Sequence, residues 1–595
     1  MYGTRSYAGG GFKQVKDLQT RQIFVPTHGW TPEEMARAAK RFGFQAVNAP
    51  IGNDIQTKAA EAKVWSDAGF KMIVRPAVPV SDPFDFEDIK RGCEQLRVLI
   101  EYYDKNPDVV GFSLCWGQYG EGGFPPGFSF SEKAKEAFNK AMGTPGEPLP
   151  DCPSDGIPGS LRWVEWHEFR SRILMEFRKQ YVQSAKKATR KPVGTWSEFY
   201  PTENYNLNMG DAPGADFLMY DLSFGDATVD QTRAFGECHG DMQHYRTFEE
   251  WRNHELPLMA KAAGEGVVPI AFQFPMRRGH AEDTSENTVT IDNIEDEYAL
   301  RIGPDIRKLI DAIPNCVRKP EVALVYNSFA ATALPAGKAF AFYQQSARFI
   351  EGMLHQMGVD LKVIPYEHLE SANLDAYRLV IVPEPMYLNE AMRANLKKAR
   401  KVLYAGEYLL THHDPSTAGG NFNTAWSGIT RWENGTLRYN MAPVGQIKIT
   451  KENPLMKEVV FAADKIYPAD QTVTFDPLPP DAEVLMWIGD TPAIITMKGG
   501  RVIHVTNRFF IHAYREDDDW LEKGAFTFLR NLVLSSGANV RVGNSALARV
   551  KEGFPYGSYG ITGRIAWNTT GRELTLRLSN GRSITIPRFG WMRIP

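Results

Sequence analysis

The stretch IFVPTHGWTPEEMARAAKRFGFQAVNAPIGNDIQTKAAEAKVWSDAGFKMIVRPAVP (residues 23–79) decides how this chain folds. Three short apolar runs, IFVPTH (23–28), FQAVNAP (44–50) and KMIVRPAVP (71–79), alternate with two helical stretches. The first helix has its start written in. Thr31 can cap it, and Glu34 follows three residues later, the spacing of a capping box. The alternation continues outward through a long helix around 86–104 and then DVVGFSLCWGQYG (108–120), KPVGTWSEFYP (191–201), ADFLMYDLSFGD (215–226), TRAFGECHGD (232–241) and VVPIAFQFP (267–275). These runs are short, apolar and rich in β-branched or aromatic residues, as parallel strands buried on both faces should be. Eight such units predict an α/β fold, a (β/α)8 TIM barrel over residues 1–315. The alternative is an open doubly wound sheet, but the first turn, PTHGWTPEE, lacks the G-x-G-x-x-G of that architecture.

Beyond Pro314–Pro320 the pattern changes. EVALVYNSF (321–329), a helix at 337–358, VDLKVIPY (359–366), YRLVIVPEP (377–385), a helix at 389–400 and KVLYAGEYLL (401–410) read as a flavodoxin-like three-layer domain over 316–541. Residues 415–480, rich in Gly, Pro, Thr and Asn, read as an insertion or long loop. VLMWIG, PAIITM and VIHVTN, then a helix at 520–536, complete the domain. Short alternating runs with NG and TG turns make 542–595 a small antiparallel β-sandwich.

Composition narrows the function. The 595 residues carry a net charge of -3, with 23% charged and 12% aromatic residues. No basic excess exists to neutralise phosphates, which argues against a nucleic-acid partner. Five scattered cysteines, with no C-x-x-C, give neither a disulfide framework nor a zinc site. No stretch approaches the ~18 apolar residues of a membrane span, and the first twenty residues lack the apolar run of a signal peptide. A soluble chain with no membrane partner, no cofactor and no metal is expected. Its location stays open: the sequence as given reads as cytoplasmic, and a removed leader would leave the same sequence.

In a (β/α)8 barrel, chemistry sits at the C-terminal strand ends. Those ends carry His28, Asn48, Arg75, Trp116 with Gln118 and Glu121, Trp196 with Glu198, Tyr220 with Asp221, Glu237 with His239, and Gln273. Carboxylates beside aromatic residues point to glycosidic-bond chemistry: one carboxyl protonates the leaving oxygen, the other attacks or stabilises the anomeric carbon, and aromatic faces stack on the sugar. Glu237, ending the run Arg233–Ala234–Phe235–Gly236, is the sharpest candidate. Arg75 could orient a carboxylate, contact a sugar hydroxyl or form a structural ion pair, Asp221 could bind hydroxyls or cap a helix, and Trp116 and Trp196 could stack on sugar or fill the barrel core. His239–Asp241–His244 and His412–His413–Asp414 match no strong metal spacing and read as solvated loops.

Several motifs resemble glycoside hydrolase family 42, the β-galactosidase-like members of clan A. Gly117–Gln118–Tyr119–Gly120 stands where the family reads Asn–Glu–Tyr–Gly. AFQFPMRRG (271–279) resembles its Phe–Gln–Trp–Arg segment, with Gln273 and Phe274 in register, and Ala262–Ala263–Gly264 resembles its Ala–His–Gly. The segment from Tyr377 to Leu410 resembles its trimerisation domain. The resemblance implies a carbohydrate substrate, first a β-galactoside, a homotrimer, and retaining hydrolysis with Glu237 as nucleophile. It places the catalytic acid/base at Gln118. Independently of the resemblance, the strand-end position of Trp116, Tyr119, Trp196, Tyr220 and Phe274 puts them where a sugar would have to stack.

Gln118 departs from the pattern, because an amide neither donates nor accepts a proton as an acid or base. Three readings stand. The glutamine replaces an original glutamate; a displaced carboxyl, Glu121 or Glu198, supplies the proton; or the barrel binds carbohydrate without hydrolysing it. Gly117, where the family has Asn, favours the displaced carboxyl. A retaining pair needs its carboxyl groups ~5–5.5 Å apart, and an inverting pair more. A glutamine amidotransferase role for the second domain is excluded, since no cysteine follows Cys316.

Overall fold

A computed structural model of the chain describes residues 15, 17–26, 31–51, 55–115, 131–148, 161–197, 214–221, 234–239, 248–272, 303–316, 319–326, 338–383, 385, 388–406, 429–432, 435–440, 445–450, 452–462, 465, 472–475, 477–506, 509–510, 522–543 and 559–594. The first eight strands close into a parallel barrel in sequence order: β1 (Ile23–Phe24), β2 (Ala46–Ile51), β3 (Lys71–Pro76), β4 (Val109–Leu114), β5 (Val193–Ser197), β6 (Leu218–Asp221), β7 (Ala234–His239) and β8 (Val268–Phe272). Strand β8 pairs with β1, which excludes the open sheet. Helices α1 (Pro32–Arg41), α2 (Ile55–Asp67), α3 (Phe86–Asp104), α4 (Glu132–Met142), α5 (Leu161–Ala188), α6 (Phe248–Glu265) and α7 (Gly303–Ala312) accompany it.

Local chemistry explains where these helices begin. At α1 the expected capping box is present: the Thr31 hydroxyl accepts from the Glu34 backbone N–H, and the Glu34 carboxylate accepts from that of Thr31. Such a cap stabilises a helix by ~1 kcal/mol. Met35, Ala36, Ala38 and Ala39 then form the buried face of α1. Asp85 caps α3 in the same way, accepting from Glu87 N–H.

Two glycines set the barrel floor. Register pairs Ser113 on β4 with Gly194 on β5, so Gly111, Ser113, Gly194 and Trp196 share one face of the sheet. A Cβ on Gly194 would run into the Phe217 ring, and one on Gly111 would lie 3.5 Å from Leu18 and 3.7 Å from Phe217. Leu18 precedes β1 and Phe217 precedes β6, and both are buried. The shared face therefore looks into the barrel, and large side chains entering from the N-terminal end fill the space the glycines leave.

A second sheet follows. Its strands are β9 (Val322–Tyr326), β10 (Leu361–Pro365), β11 (Leu379–Pro383), β12 (Val402–Ala405), β15 (Ile447–Ile449), β17 (Glu483–Ile488), β18 (Thr491–Met497) and β19 (Val502–Val505), in the order β10-β9-β11-β12-β19-β18-β17-β15. The first five run parallel, and the last three join antiparallel. Helices α8 (Lys338–Gln356), α9 (Glu390–Leu396) and α10 (Glu522–Ser535) belong to this region. The stretch 415–480 is not simply a long loop. It holds β13 (Ile429–Trp432), β14 (Gly435–Asn440) and β16 (Thr472–Phe475), which form a three-stranded antiparallel sheet, and β15 at the edge of the main sheet. These strands are three to six residues long and mix polar with apolar positions, so the Gly, Pro, Thr and Asn around them mask their alternation.

The last region is β-rich: β20 (Tyr559–Thr562), β21 (Ile565–Asn568) and β24 (Gly590–Arg593) form one antiparallel sheet, and β22 (Leu574–Arg577) and β23 (Ser583–Ile586) a hairpin. Its turns lie at the TG and NG pairs, with Gly563 and Gly581 at positive φ (52° and 84°).

Candidate active site

The barrel mouth is assembled layer by layer above the Phe217 floor. Two residues beyond Gly194 on the same interior face comes Trp196, 2% exposed. Arg75, from the end of β3, places its guanidinium carbon 4.9 Å from the centroid of the Trp196 ring. A cation over an indole face is an attractive arrangement, worth ~1 kcal/mol or more when desolvated. Asn48 on β2 is fully buried, in register with Ile73 of β3, and its neighbour two residues on, Pro50, is in register with Arg75. Behind β3, the Tyr181 hydroxyl of α5 donates to the Val78 carbonyl at 2.9 Å. Burial pushes the Tyr181 phenol well up, so it stays protonated and holds the segment that follows β3.

On the opposite wall, Trp196 is in register with Met219 on β6, and Met219 with Phe235 on β7. One step further along the same face, Asp221 and Glu237 form a register pair, and Glu237 is paired in turn with Ile270 of β8. Two acidic residues thus stand level at the C-terminal ends of adjacent parallel strands, whose backbones run ~4.8 Å apart. Tyr220 lies one residue before Asp221 on β6, in register with Ser197 and Gly236, and His239 ends β7 in register with Phe272. The β3–β4 pairing extends to an Ala77–Cys115 bridge, which fixes the point from which the chain enters Trp116–Glu121.

Of the residues singled out from the sequence, Asn48, Arg75, Trp196, Tyr220, Asp221, Glu237 and His239 thus come together at one end of the barrel. His28, Trp116, Gln118, Tyr119, Glu121, Glu198 and Gln273 lie outside the described residues, as do His244 and His412–Asp414. The sequence reading treated Asp221 as a hydroxyl binder or a cap. Its register with Glu237 was recoverable by aligning FLMYD (217–221) with RAFGE (233–237), each ending in its acid. The Arg75–Trp196 contact had no such signal, because it links strands that are not neighbours.

No protein-family model matches the chain, and no curated protein matches it. Solved structures do. The β-galactosidase of the psychrophilic Marinomonas ef1 superposes with a TM-score of 0.63 at 12% identity, covering 96% of this chain and 98% of that one. The β-galactosidase of Bacillus circulans sp. alkalophilus gives 0.63 at 15%, with the same coverage. A catalytic mutant of a GH42 β-galactosidase from G. stearothermophilus gives 0.61 at 13%, again with 96% and 98% covered. The fold is that of the family 42 β-galactosidases. The resemblance carried by the sequence motifs extends to the architecture of nearly the whole chain, at an identity that speaks for the fold. In the family 42 fold, as in other (β/α)8 barrels, the C-terminal strand ends are where function is built, and that is the end where Arg75, Asp221 and Glu237 gather.

Proposed function

We propose that the chain is a glycoside hydrolase acting on β-glycosides, β-galactosides first, by a retaining mechanism with Glu237 as nucleophile. The observation that carries this reading is the position of Glu237 at the C-terminal end of β7, level with Asp221, in a barrel of family 42 architecture. Glu237 attacks the anomeric carbon and the bond to the leaving oxygen breaks as that oxygen takes a proton. Water then opens the glycosyl-enzyme. The proton comes from a displaced carboxyl, Glu121 or Glu198, because Gln118 cannot supply it. Aromatic side chains at the mouth, Trp116 and Tyr119, take the apolar face of the sugar, and His28, Asn48, His239 and Gln273 its hydroxyls; Tyr220 alternates with Asp221 along β6, stands on the opposite face and is not assigned to the sugar. The second sheet's parallel core, in the flavodoxin order 2-1-3-4-5, supports the division into a barrel (1–315), a flavodoxin-like domain (316–541) and a β domain (542–595), and the homotrimer rests on the family 42 resemblance alone.

The alternative from another class is a carbohydrate-binding barrel without activity. A panel of nitrophenyl glycosides, assayed with the chain and with Gln118→Glu, separates the two. Activity in the unaltered chain that falls with Glu121→Gln, Glu198→Gln or Asp221→Asn identifies the acid. Activity only in Gln118→Glu points to a substituted site. Sugar binding with no turnover in either protein overturns the hydrolase.

A further inference from the structure

The outer flank of the barrel carries a second cleft, and none of the mouth residues described above lines it. Its volume is about 570 Å³, within the usual range of ligand pockets. Helices α6 and α7 form one wall, and the turn Pro587–Gly590 with strand β24 forms the other. The helices contribute Arg252, Asp305, Lys308 and Asp311; the turn and strand contribute Arg588, Phe589, Trp591 and Arg593. Both acids are already engaged. Asp305 Oδ1 lies 3.1 Å from Lys308 Nζ, and Asp311 pairs with Arg307. The three guanidiniums are not: among the described residues, no carboxylate pairs with Arg252, Arg588 or Arg593. Arg252 donates from Nη1 to Asn253 Oδ1 at 3.5 Å, and its Nε is buried with no hydrogen-bond partner among the described residues. In a chain of net charge -3, three unmatched cations around one cavity are a local concentration of charge.

A buried donor with no partner destabilises the fold, and so do like charges gathered at one place. An anion in the cleft would relieve both. A guanidinium presents its N–H groups as a flat fork that fits a pair of acid oxygens. Beside these cations stands a half-buried indole. Trp591 and Arg593 are two residues apart on β24, so they point to the same side of the strand, ~7 Å apart along it. That spacing suits a sugar ring stacked on the indole with an acidic substituent reaching the guanidinium. We propose that the cleft is a second carbohydrate site, which takes an anionic glycan whose charge is carried by a uronate carboxylate or a sulfate ester. That the ligand is a glycan rests on the hydrolase reading above; that it is an anion does not.

Both walls are organised toward the cleft. On the helix side, Arg252 and Leu256 lie one turn apart on α6, and Asp305, Lys308 and Asp311 recur every three residues on α7, so each helix turns one face to the cavity. On the other side, the turn is held in a strained shape. Phe589 has a φ of 44°, a left-handed backbone that a bulky side chain rarely adopts. Its N–H donates to the Thr570 carbonyl at 3.0 Å, and Asn568 Nδ2 donates to the Pro587 carbonyl at 2.9 Å. Gly571 leaves room for the ring, since a Cβ there would come within 3.3 Å of it. Strain of this kind collects at ligand-binding loops, and this strained residue is the neighbour of Arg588 and lies two residues from Trp591.

The test is isothermal titration calorimetry of the full chain at low and high salt. The probes are an oligogalacturonate, its uncharged methyl ester, a sulfated galactan oligosaccharide, polyglutamate and oligothymidylate. The oligogalacturonate or the sulfated sugar should bind at least ~10-fold more tightly than the methyl ester and should weaken as salt rises. Whichever of the two binds more tightly identifies the anion. Trp591→Ala and Arg588→Gln should each weaken that binding by ~5–10-fold. If Trp591→Ala does not fold, Arg588→Gln and Arg593→Gln carry the test, because both arginines are exposed. Titration reads no turnover, so a chain without glycosidase activity can still bind the acidic sugar, and an active one can fail to. Binding of neither acidic sugar, equal binding of the methyl ester, or affinities that the variants leave unmoved overturns the proposal. So does polyglutamate or oligothymidylate binding as tightly as the sugars, which would assign the cleft to a peptide or a nucleic acid.

Discussion

The barrel and the second sheet are built on the same rule and differ at the ends of their strands. In the second sheet, β9 (VALVY), β11 (LVIVP) and β12 (VLYA) are buried along their whole length and carry no charge. The barrel strands are built on similar apolar runs, but β3, β6 and β7 carry Arg75, Asp221 and Glu237 in their C-terminal halves, β2 carries Asn48 as its third residue, and β3 opens on Lys71. Where the second sheet does bury an ionisable group, it suppresses the charge: His504 on β19, stacked on Tyr404 at 5.0 Å, has its pKa pushed down to about 3, first by burial and then by Lys498. A parallel sheet covered on both faces excludes charge unless one end stays open to a ligand. That contrast favours the barrel's C-terminal end over the second sheet as the place for the proposed chemistry.

The largest effect should separate the two regions outright. Glu237→Gln removes the proposed nucleophile while keeping its shape. It should lower kcat/KM on the best nitrophenyl glycoside by at least ~10³-fold, about 4 kcal/mol of transition-state stabilisation, with little change in melting temperature. His504→Phe should leave kcat/KM unchanged within a factor of ~2. Retained activity in Glu237→Gln would break the comparison. The next effect tests the barrel floor. Gly194→Val forces a branched side chain into the Phe217 ring, and overpacking of this kind costs ~1–3 kcal/mol. The urea midpoint should drop accordingly, and Phe217→Ala in the same chain should restore part of it. A stable Gly194→Val would show that the face carrying Trp196 does not look into the barrel.

How much of this was legible in the sequence depended on whether the signal was local. The barrel strands were readable because each is a compact apolar run beside a helix with its own start signal, as at Thr31 and Glu34. The two tight turns of the last region were readable from Thr562–Gly563 and Asn580–Gly581, since those dipeptides admit positive φ. The strands within 415–480 were not, because ITRW and GTLRYN carry too few apolar residues to stand out from their surroundings. At the candidate site, strand-end position picked out Arg75, Asp221 and Glu237 individually, while the pairing of Asp221 with Glu237 and of Arg75 with Trp196 depends on barrel register and closure. The buried cluster of Lys261, Glu265, Glu351 and His355 was invisible for the same reason: these look like ordinary helix charges until two helices far apart in the chain are packed together.

A third, smaller effect tests the exclusion of charge from the second sheet. His504 is depressed, so its unfolded form takes a proton that the folded form refuses. Its contribution to stability is complete above pH ~6.5 and is lost as pH falls. At pH 5.5 the loss should be roughly 1 kcal/mol. In urea titrations from pH 5 to 7.5, wild type should lose stability toward acid relative to His504→Phe. Parallel slopes for the two proteins would mean that His504 titrates normally, and the second sheet would then tolerate charge after all.

The smallest expected effect concerns how the barrel accommodates the charge that the second sheet excludes. Arg75 stands over the Trp196 face, and the indole's negative π face partly replaces the water lost on burial. If that stacking is what makes the cation tolerable, the two residues must be coupled energetically. Arg75→Met, Trp196→Leu and the double variant form a cycle in which each single change also loses other contacts, but the interaction term isolates the pair. A coupling of ~0.5–1 kcal/mol is expected from urea midpoints. Zero coupling would mean that Arg75 is held by its other partners and that the contact with Trp196 is only proximity. Arg75→Lys adds a finer distinction, because a compact ammonium keeps the charge but not the planar stacking surface. Its stability should fall between wild type and Arg75→Met.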